Sequence, residues 1–179
     1  MEIHFSMPNF RRYYLPNSFV FITSVTDNRI PYFEKLDNIN LFFDTLNNVK
    51  SLYAFNLFAH VLLPDHFHWL LHIPDGVGNF SKIVQCFKRN FTLNYKKFNK
   101  IDISYTIWQR RFWDHVIRSE EDLQKHLDYI HWNPVKHQLT NNVFLYPYSS
   151  FQSYLNQGVY SEEWGNNGEP VSIKSYECE

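Results

Sequence analysis

Apolar and polar positions along this 179-residue chain alternate between two periods, and the switches between them outline the elements. Residues 19–25, FVFITSV, form an apolar, β-branched run ended by Asp27-Asn28, which predicts a strand. From about Asp37 to Val49, Ile39, Phe42, Phe43, Leu46 and Val49 recur at helical spacing. Phe55 to Leu63 reads as a second strand, and Pro64-Asp65 supplies turn chemistry. His66 to Ile73 is the third strand, closed by Pro74-Asp75-Gly76. Phe80 to Phe98 is a helix whose stripe is Ile83, Val84, Phe87, Phe91 and Tyr95. Arg111 to Ile117 is a fourth strand. Ser119 then caps a last helix, with Asp122 at the capping-box position. Asn133-Pro134 is expected to stop that helix, because the residue before proline disfavours the α region. The order β-α-β-β-α-β-α matches, in its first six elements, a ferredoxin-like split βαβ: an α+β fold with a four-stranded antiparallel sheet and helices on one face. The seventh element is an additional C-terminal helix.

Residues 139–179 show little periodicity. Residues 166–179 read as an acidic, poorly ordered tail behind a single domain of residues 1–165.

Composition changes this picture in one respect, which is charge. The net charge is −1, but residues 161–179 hold five Glu against one Lys, so residues 1–160 carry +3. Between Gly76 and Ile101 no acid occurs, against Lys82, Lys88, Arg89, Lys96, Lys97 and Lys100. A single-signed stretch of this kind reads as a footprint for phosphates, although a solvated helix face gives the same pattern. Cys86 and Cys178 form no disulfide framework and no zinc spacing. No N-terminal apolar run and no membrane-length stretch occurs, which predicts a cytoplasmic protein without a membrane partner.

The chemistry concentrates in LPDHFHWLLHI, residues 63–73. Strand alternation puts Phe67, Trp69, Leu71 and Ile73 on one face, and His66, His68, Leu70 and His72 on the other. His66 and His68 then stand roughly 7 Å apart along the strand, so their rings can converge on one ion; His72, about 13 Å from His68, is too far. Two half-exposed imidazoles on a polar sheet face are the plain alternative. In the last helix Leu123, Leu127 and Ile130 share a packing arc, while Asp122, His126, Tyr129 and Asn133 share the adjacent one. Tyr129 and Asn133 are neighbours one turn apart. If the packing arc docks on the sheet, the polar arc looks toward the histidine pair.

These segments resemble a known family. HFH (66–68), WQRRFWDHVIR (108–118) and DLQKHLDYIHWNPVKHQL (122–139) are similar to the REP-associated tyrosine transposases, relatives of the single-strand insertion-sequence HUH transposases. FRRYYLP near the start and YPYSSFQSYLNQGVY (146–160) extend the likeness over roughly residues 10–165. It departs where the family often carries glycine in the first turn and a Trp-Pro pair near the C-terminus; here stand Leu15-Pro16-Asn17 and Tyr146-Pro147. The resemblance implies Tyr129 as nucleophile, His66 and His68 as metal ligands, Asn133 as the amide completing the site, and Mg²⁺ or Mn²⁺ as the ion.

The residue types suit phosphodiester chemistry. A divalent cation held by two neutral imidazoles and an amide keeps most of its charge for phosphate oxygens. A phenol ionises more readily than an aliphatic alcohol, and a phosphotyrosine keeps the bond energy for rejoining. The expected function is therefore metal-dependent nicking and rejoining of single-stranded or hairpin DNA through a 5′-phosphotyrosine, by a monomer or homodimer. Arg11, Arg12, Lys82, Lys88, Arg89, Lys96, Lys97, Arg110 and Arg111 are the expected DNA contacts. Tyr13, Tyr14 and Trp108 are candidates to stack on bases. The competing readings are a metal hydrolase that activates water, a domesticated hairpin-binding protein, and an RNA-binding ferredoxin-like domain.

Overall fold

The computed structural model describes residues 14–76, 79–165 and 168–174. Four strands, β1 (Ser18–Val25), β2 (Asn56–Leu62), β3 (His66–Ile73) and β4 (Trp113–Val116), form one sheet in the order β2-β3-β1-β4. Every neighbouring pair is antiparallel. Helices α1 (Leu36–Leu52) and α2 (Phe80–Phe98) are the crossovers of the split βαβ. Helix α3 (Glu120–Lys136) and the short α4 (Phe151–Asn156) follow.

Strand alternation divides the core in two. On one face Val20, Ile22, Phe67, Trp69 and Leu71 pack against Phe42 and Leu46 of α1 and Phe87 and Phe91 of α2. Of the stripe expected on α2, Ile83, Val84, Phe87 and Phe91 are buried and Tyr95 is half-buried, and the Asn79 side chain caps that helix by accepting from the Lys82 N–H at 3.1 Å. On the other face Phe21, Val61 and Leu70 pack against Leu127 and Ile130 of α3. As the packing arc predicts, α3 lies over the strand face that carries the histidines.

Three sequence expectations change. First, α3 does not stop at Asn133-Pro134 but runs to Lys136, and ends where Gln138 adopts a left-handed φ of 57°. Proline lacks the N–H for one helical bond, yet Asn133 and Pro134 are buried, and the turn continues through His137 N–H to Asn133 O at 3.0 Å. Tertiary burial outweighs the local preference.

Second, α3 is buried on more than the two arcs expected. Asp128, His131 and Trp132 are also enclosed, by α4, Tyr160 and Trp164. Residues 143–164 and Ile173 thus pack around α3. Third, within the stretch expected as a poorly ordered tail, Val171–Ile173 makes a 3-10 turn that buries Ile173 in the second core. Ser172 Oγ there donates to Asp128 Oδ2 at 2.6 Å.

Among the described residues no helix is long and apolar enough to cross a membrane.

Candidate active site

The site lies between β3 and α3. Both histidines are buried, and each ring is fixed through Nδ1. His66 Nδ1–H donates to Asp65 Oδ1 at 2.5 Å, and His68 Nδ1 hydrogen-bonds with Thr23 Oγ1 at 2.8 Å. Holding Nδ1 in this way makes Nε2 the candidate ligand nitrogen of each ring, the arrangement in which a metal-binding imidazole is oriented by a second residue. The ring centroids of His66 and His68 stand 5.0 Å apart.

Asp65 is itself held by Arg29, whose Nη1 lies 3.0 Å from Oδ2. Burial opposes ionisation of Asp65, but His66 and Arg29 outweigh it and hold the carboxyl below its usual range.

Helix α3 brings the other groups. Tyr129, only 1% exposed, sets its ring 5.3 Å from that of His68 and 5.9 Å from Phe21. Asn133 is one turn further along and fully buried, and among the described residues neither Oδ1 nor Nδ2 finds a hydrogen-bond partner. An orphaned buried amide costs about 1–3 kcal/mol, so its persistence points to a partner outside the polypeptide. A divalent cation shared with the two imidazoles fits this donor set, and Asn133 Oδ1 is a suitable hard ligand.

Two residues of the site were missed by sequence reasoning. Lys136 Nζ donates to the Tyr129 hydroxyl oxygen at 3.1 Å and lies 4.8 Å from the ring centroid. His137 sets its ring 4.9 Å from His66. The signal was present: Lys136 is two turns from Tyr129 and His137 one turn from Asn133. Ending the helix at Pro134 concealed it.

The basic residues expected to contact DNA fall into two groups. Lys82, Lys88, Arg89, Lys96 and Lys97 lie on α2, and the sheet separates that helix from Tyr129. The structure does gather Lys88, Arg110 and Arg111, with Gln85 and Phe112, around a cavity of about 180 Å³, and Lys88 Nζ donates to Gln109 O at 2.7 Å. Trp108 is a correction: it is 5% exposed, packed among Phe33, Phe67, Phe87 and Phe91, and is a core residue rather than a stacking platform. Tyr14 is exposed and hydrogen-bonds to Ser81 Oγ at 2.9 Å. Arg11, Arg12 and Tyr13 lie outside the described residues.

A separate cluster joins β4 to α3. His115, Asp122 and His126 place donor atoms within 4.8 Å of one another. His115 Nε2–H donates to Asp122 Oδ2 at 2.8 Å, while His126 Nδ1–H donates to the Asp122 backbone carbonyl at 2.8 Å. Asp122 Oδ2 also accepts from Arg118 N–H at 2.9 Å, so the expected capping acid serves the residue before the Ser119 cap. These mutual bonds read as a structural tie across the start of α3.

A split βαβ sheet with a buried histidine pair on one face and a helix carrying tyrosine and asparagine over it defines an α+β protein with a candidate nucleophile beside a candidate metal site. The comparisons identify its family. The chain is 38% identical over 168 residues, 90% of its length and 95% of the relative's, to a Haemophilus influenzae protein assigned to the REP-associated tyrosine transposases. It is 32% identical over 161 residues, 90% of its length and 93% of the relative's, to the REP-associated tyrosine transposase of Escherichia coli K12. A solved structure described as the REP-associated tyrosine transposase bound to a REP hairpin superposes with a TM-score of 0.79 at 32% identity, covering 88% of this chain and 91% of that one. No family model matches. The chain belongs to the REP-associated tyrosine transposases.

Proposed function

We propose that this protein nicks and rejoins single-stranded DNA beside hairpin-forming repeats, through a covalent 5′-phosphotyrosine on Tyr129, in the manner of an HUH single-tyrosine transposase. The observation that carries the reading is the packing of Tyr129 against His68, with the orphaned amide of Asn133 one turn away. The hairpin bound in the solved relative supports the choice of substrate.

His66 Nε2, His68 Nε2 and Asn133 Oδ1 would hold Mg²⁺ or Mn²⁺. Such an ion would supply Lewis-acid polarisation and a template for the phosphate. The remaining steps belong to the side chains. Lys136 Nζ donates to the Tyr129 oxygen and favours its phenolate, since a charge-assisted bond is roughly twice as strong as a neutral one. The Tyr129 phenol gives up its proton to water, the phenolate oxygen attacks phosphorus, the bond to the 3′ oxygen breaks, and that oxygen leaves as a hydroxyl on taking a proton from water, so that no net proton is consumed. The 5′ side stays on Tyr129, and the reverse attack by a 3′-OH restores the strand. Tyr129 is buried, and Lys136, lying over its ring, is the exposed side chain that must shift as DNA enters.

The test is incubation with 5′- and 3′-labelled hairpin DNA and Mn²⁺ or Mg²⁺, resolved on denaturing gels. A metal-dependent adduct that retains the 5′-phosphate side and vanishes in Tyr129→Phe is expected. Cleavage that survives Tyr129→Phe assigns the reaction to activated water instead. Tight binding without cleavage assigns a domesticated binder.

A further inference from the structure

On the face of the sheet that carries the histidine pair, antiparallel register sets four residues in one cross-strand row. Val61 stands opposite His68, His68 opposite Thr23, and Thr23 opposite Trp113. Residues opposite one another share a face, so Trp113 lies on the Tyr129 side of the sheet. It is two strand spacings, about 10 Å, from His68.

Trp113 is unusual for this surface. It opens the edge strand β4, and 43% of it is exposed. Its ring is also backed by other rings. It forms a T-shaped pair with Phe21 at 5.7 Å, the same Phe21 that packs against His68 and Tyr129. His115 lies parallel to it at 6.0 Å and 7°, and His126 lies parallel to His115 at 4.7 Å. Their hydrogen bonds to Asp122 fix both imidazoles. The result is a pre-oriented, half-open indole at the rim of the site.

The chain immediately before Trp113 leads to the other conspicuous feature of this edge. Arg110 and Arg111, with Lys88, line the basic cavity. A strand of nucleic acid rounding the β4 edge would meet cations for its phosphates and then an aromatic plane for a base, the pairing that single-strand-binding surfaces use.

We propose that Trp113 is a stacking platform for an unpaired nucleobase flanking the hairpin, and that it positions the flank so that the adjacent phosphate reaches Tyr129. The inference rests on the nicking function proposed above, and it assigns the occupant of this surface as an unpaired base rather than the duplex stem. It also explains what the buried Trp108 cannot supply.

The test measures binding without metal, so that cleavage does not enter. The probes are a labelled REP-type hairpin with an oligothymidine flank, the same hairpin cut blunt, and flanked versions with one abasic nucleotide at each position in turn. Trp113→Ala is expected to weaken binding of the flanked hairpin about tenfold and to leave the blunt one unchanged. Trp113→Phe, which keeps an aromatic plane, should retain most of the affinity and controls for folding. One abasic position should weaken the intact protein by a similar factor and add nothing to Trp113→Ala. Unchanged binding of the flanked probe by Trp113→Ala, or equal loss on both hairpins, overturns the platform. Trp113-dependent binding by an intact protein that forms no tyrosine adduct would instead overturn the nicking function and leave the platform standing.

Discussion

Tyr160 donates its hydroxyl to Asp128 Oδ1 at 2.9 Å and lies 3.0 Å from His131 Nδ1. This junction ties the segment that carries Tyr160 to α3, the helix that carries Tyr129. Asp128 further accepts from Gln124 at 2.8 Å, and His131 Nε2 lies 2.8 Å from Ser150 Oγ. Burial, with Asp128 beside it, pushes the Tyr160 hydroxyl far above the ordinary range for a phenol, so it remains a donor. Removing it, as in Tyr160→Phe, leaves His131 short of a partner in a dry environment. The expected loss is about 1–3 kcal/mol, read as a lower midpoint in urea or thermal unfolding.

His131 also predicts an acid sensitivity. Burial, with His60 nearby, lowers it to about 3, and His60 is lowered to about 4, again chiefly by burial. In the unfolded chain both titrate near 6.5. Between these values the unfolded state binds more protons than the folded one, so stability falls as pH drops from about 6.5 toward 4. Each such histidine adds a slope approaching about 1.4 kcal/mol per pH unit. Urea unfolding across that range should show the decline, and a flat profile would contradict the neutral state of these rings in the fold.

Thr23 meets the site through its hydrogen bond to His68 Nδ1. Thr23→Val keeps the shape of the side chain and removes the hydroxyl that orients Nδ1. Metal affinity is expected to fall about 10–100-fold, the usual cost of losing an orienting partner. Calorimetric titration with Mn²⁺ measures this directly, and the folded state should survive.

For Lys136, adduct formation by Lys136→Gln should slow about tenfold, corresponding to one lost charge-assisted bond. Lys136→Arg should recover part of the rate, since it keeps the charge. A rate unchanged in Lys136→Gln would remove the lysine from the chemistry.

The basic cavity is checked by salt. Replacing Lys88, Arg110 and Arg111 with Ala should weaken DNA binding and make the dependence of log affinity on log salt shallower. The slope should shrink by up to about 0.7 for each single-strand phosphate that is no longer neutralised. An unchanged slope would remove this cavity from the footprint.

The boundaries of α2 and β3 coincide with the elements expected from pattern alone, since each carries one unbroken period between clear breakers. The last helix shows the opposite case. Its start at Ser119 was legible from a cap, but its end was not, because proline's local penalty is offset by burial that no local pattern records. That one displaced boundary hid Lys136 and His137 and left the candidate site incomplete. Trp108 and Trp113 show the same limit in another form. They lie in one aromatic, basic segment and cannot be ranked by composition. Register turns one into the core beside Phe67 and leaves the other open at the edge of the sheet.

The sequence by itself determined the split βαβ order, the two strand faces and the pairing of His66 with His68, because strand alternation and helical periodicity are local properties of covalent geometry. Only the tertiary structure decided which groups surround Tyr129, which tryptophan faces solvent, and how the C-terminal segment encloses α3. Those outcomes depend on packing between residues far apart in the chain, where burial outweighs local preference.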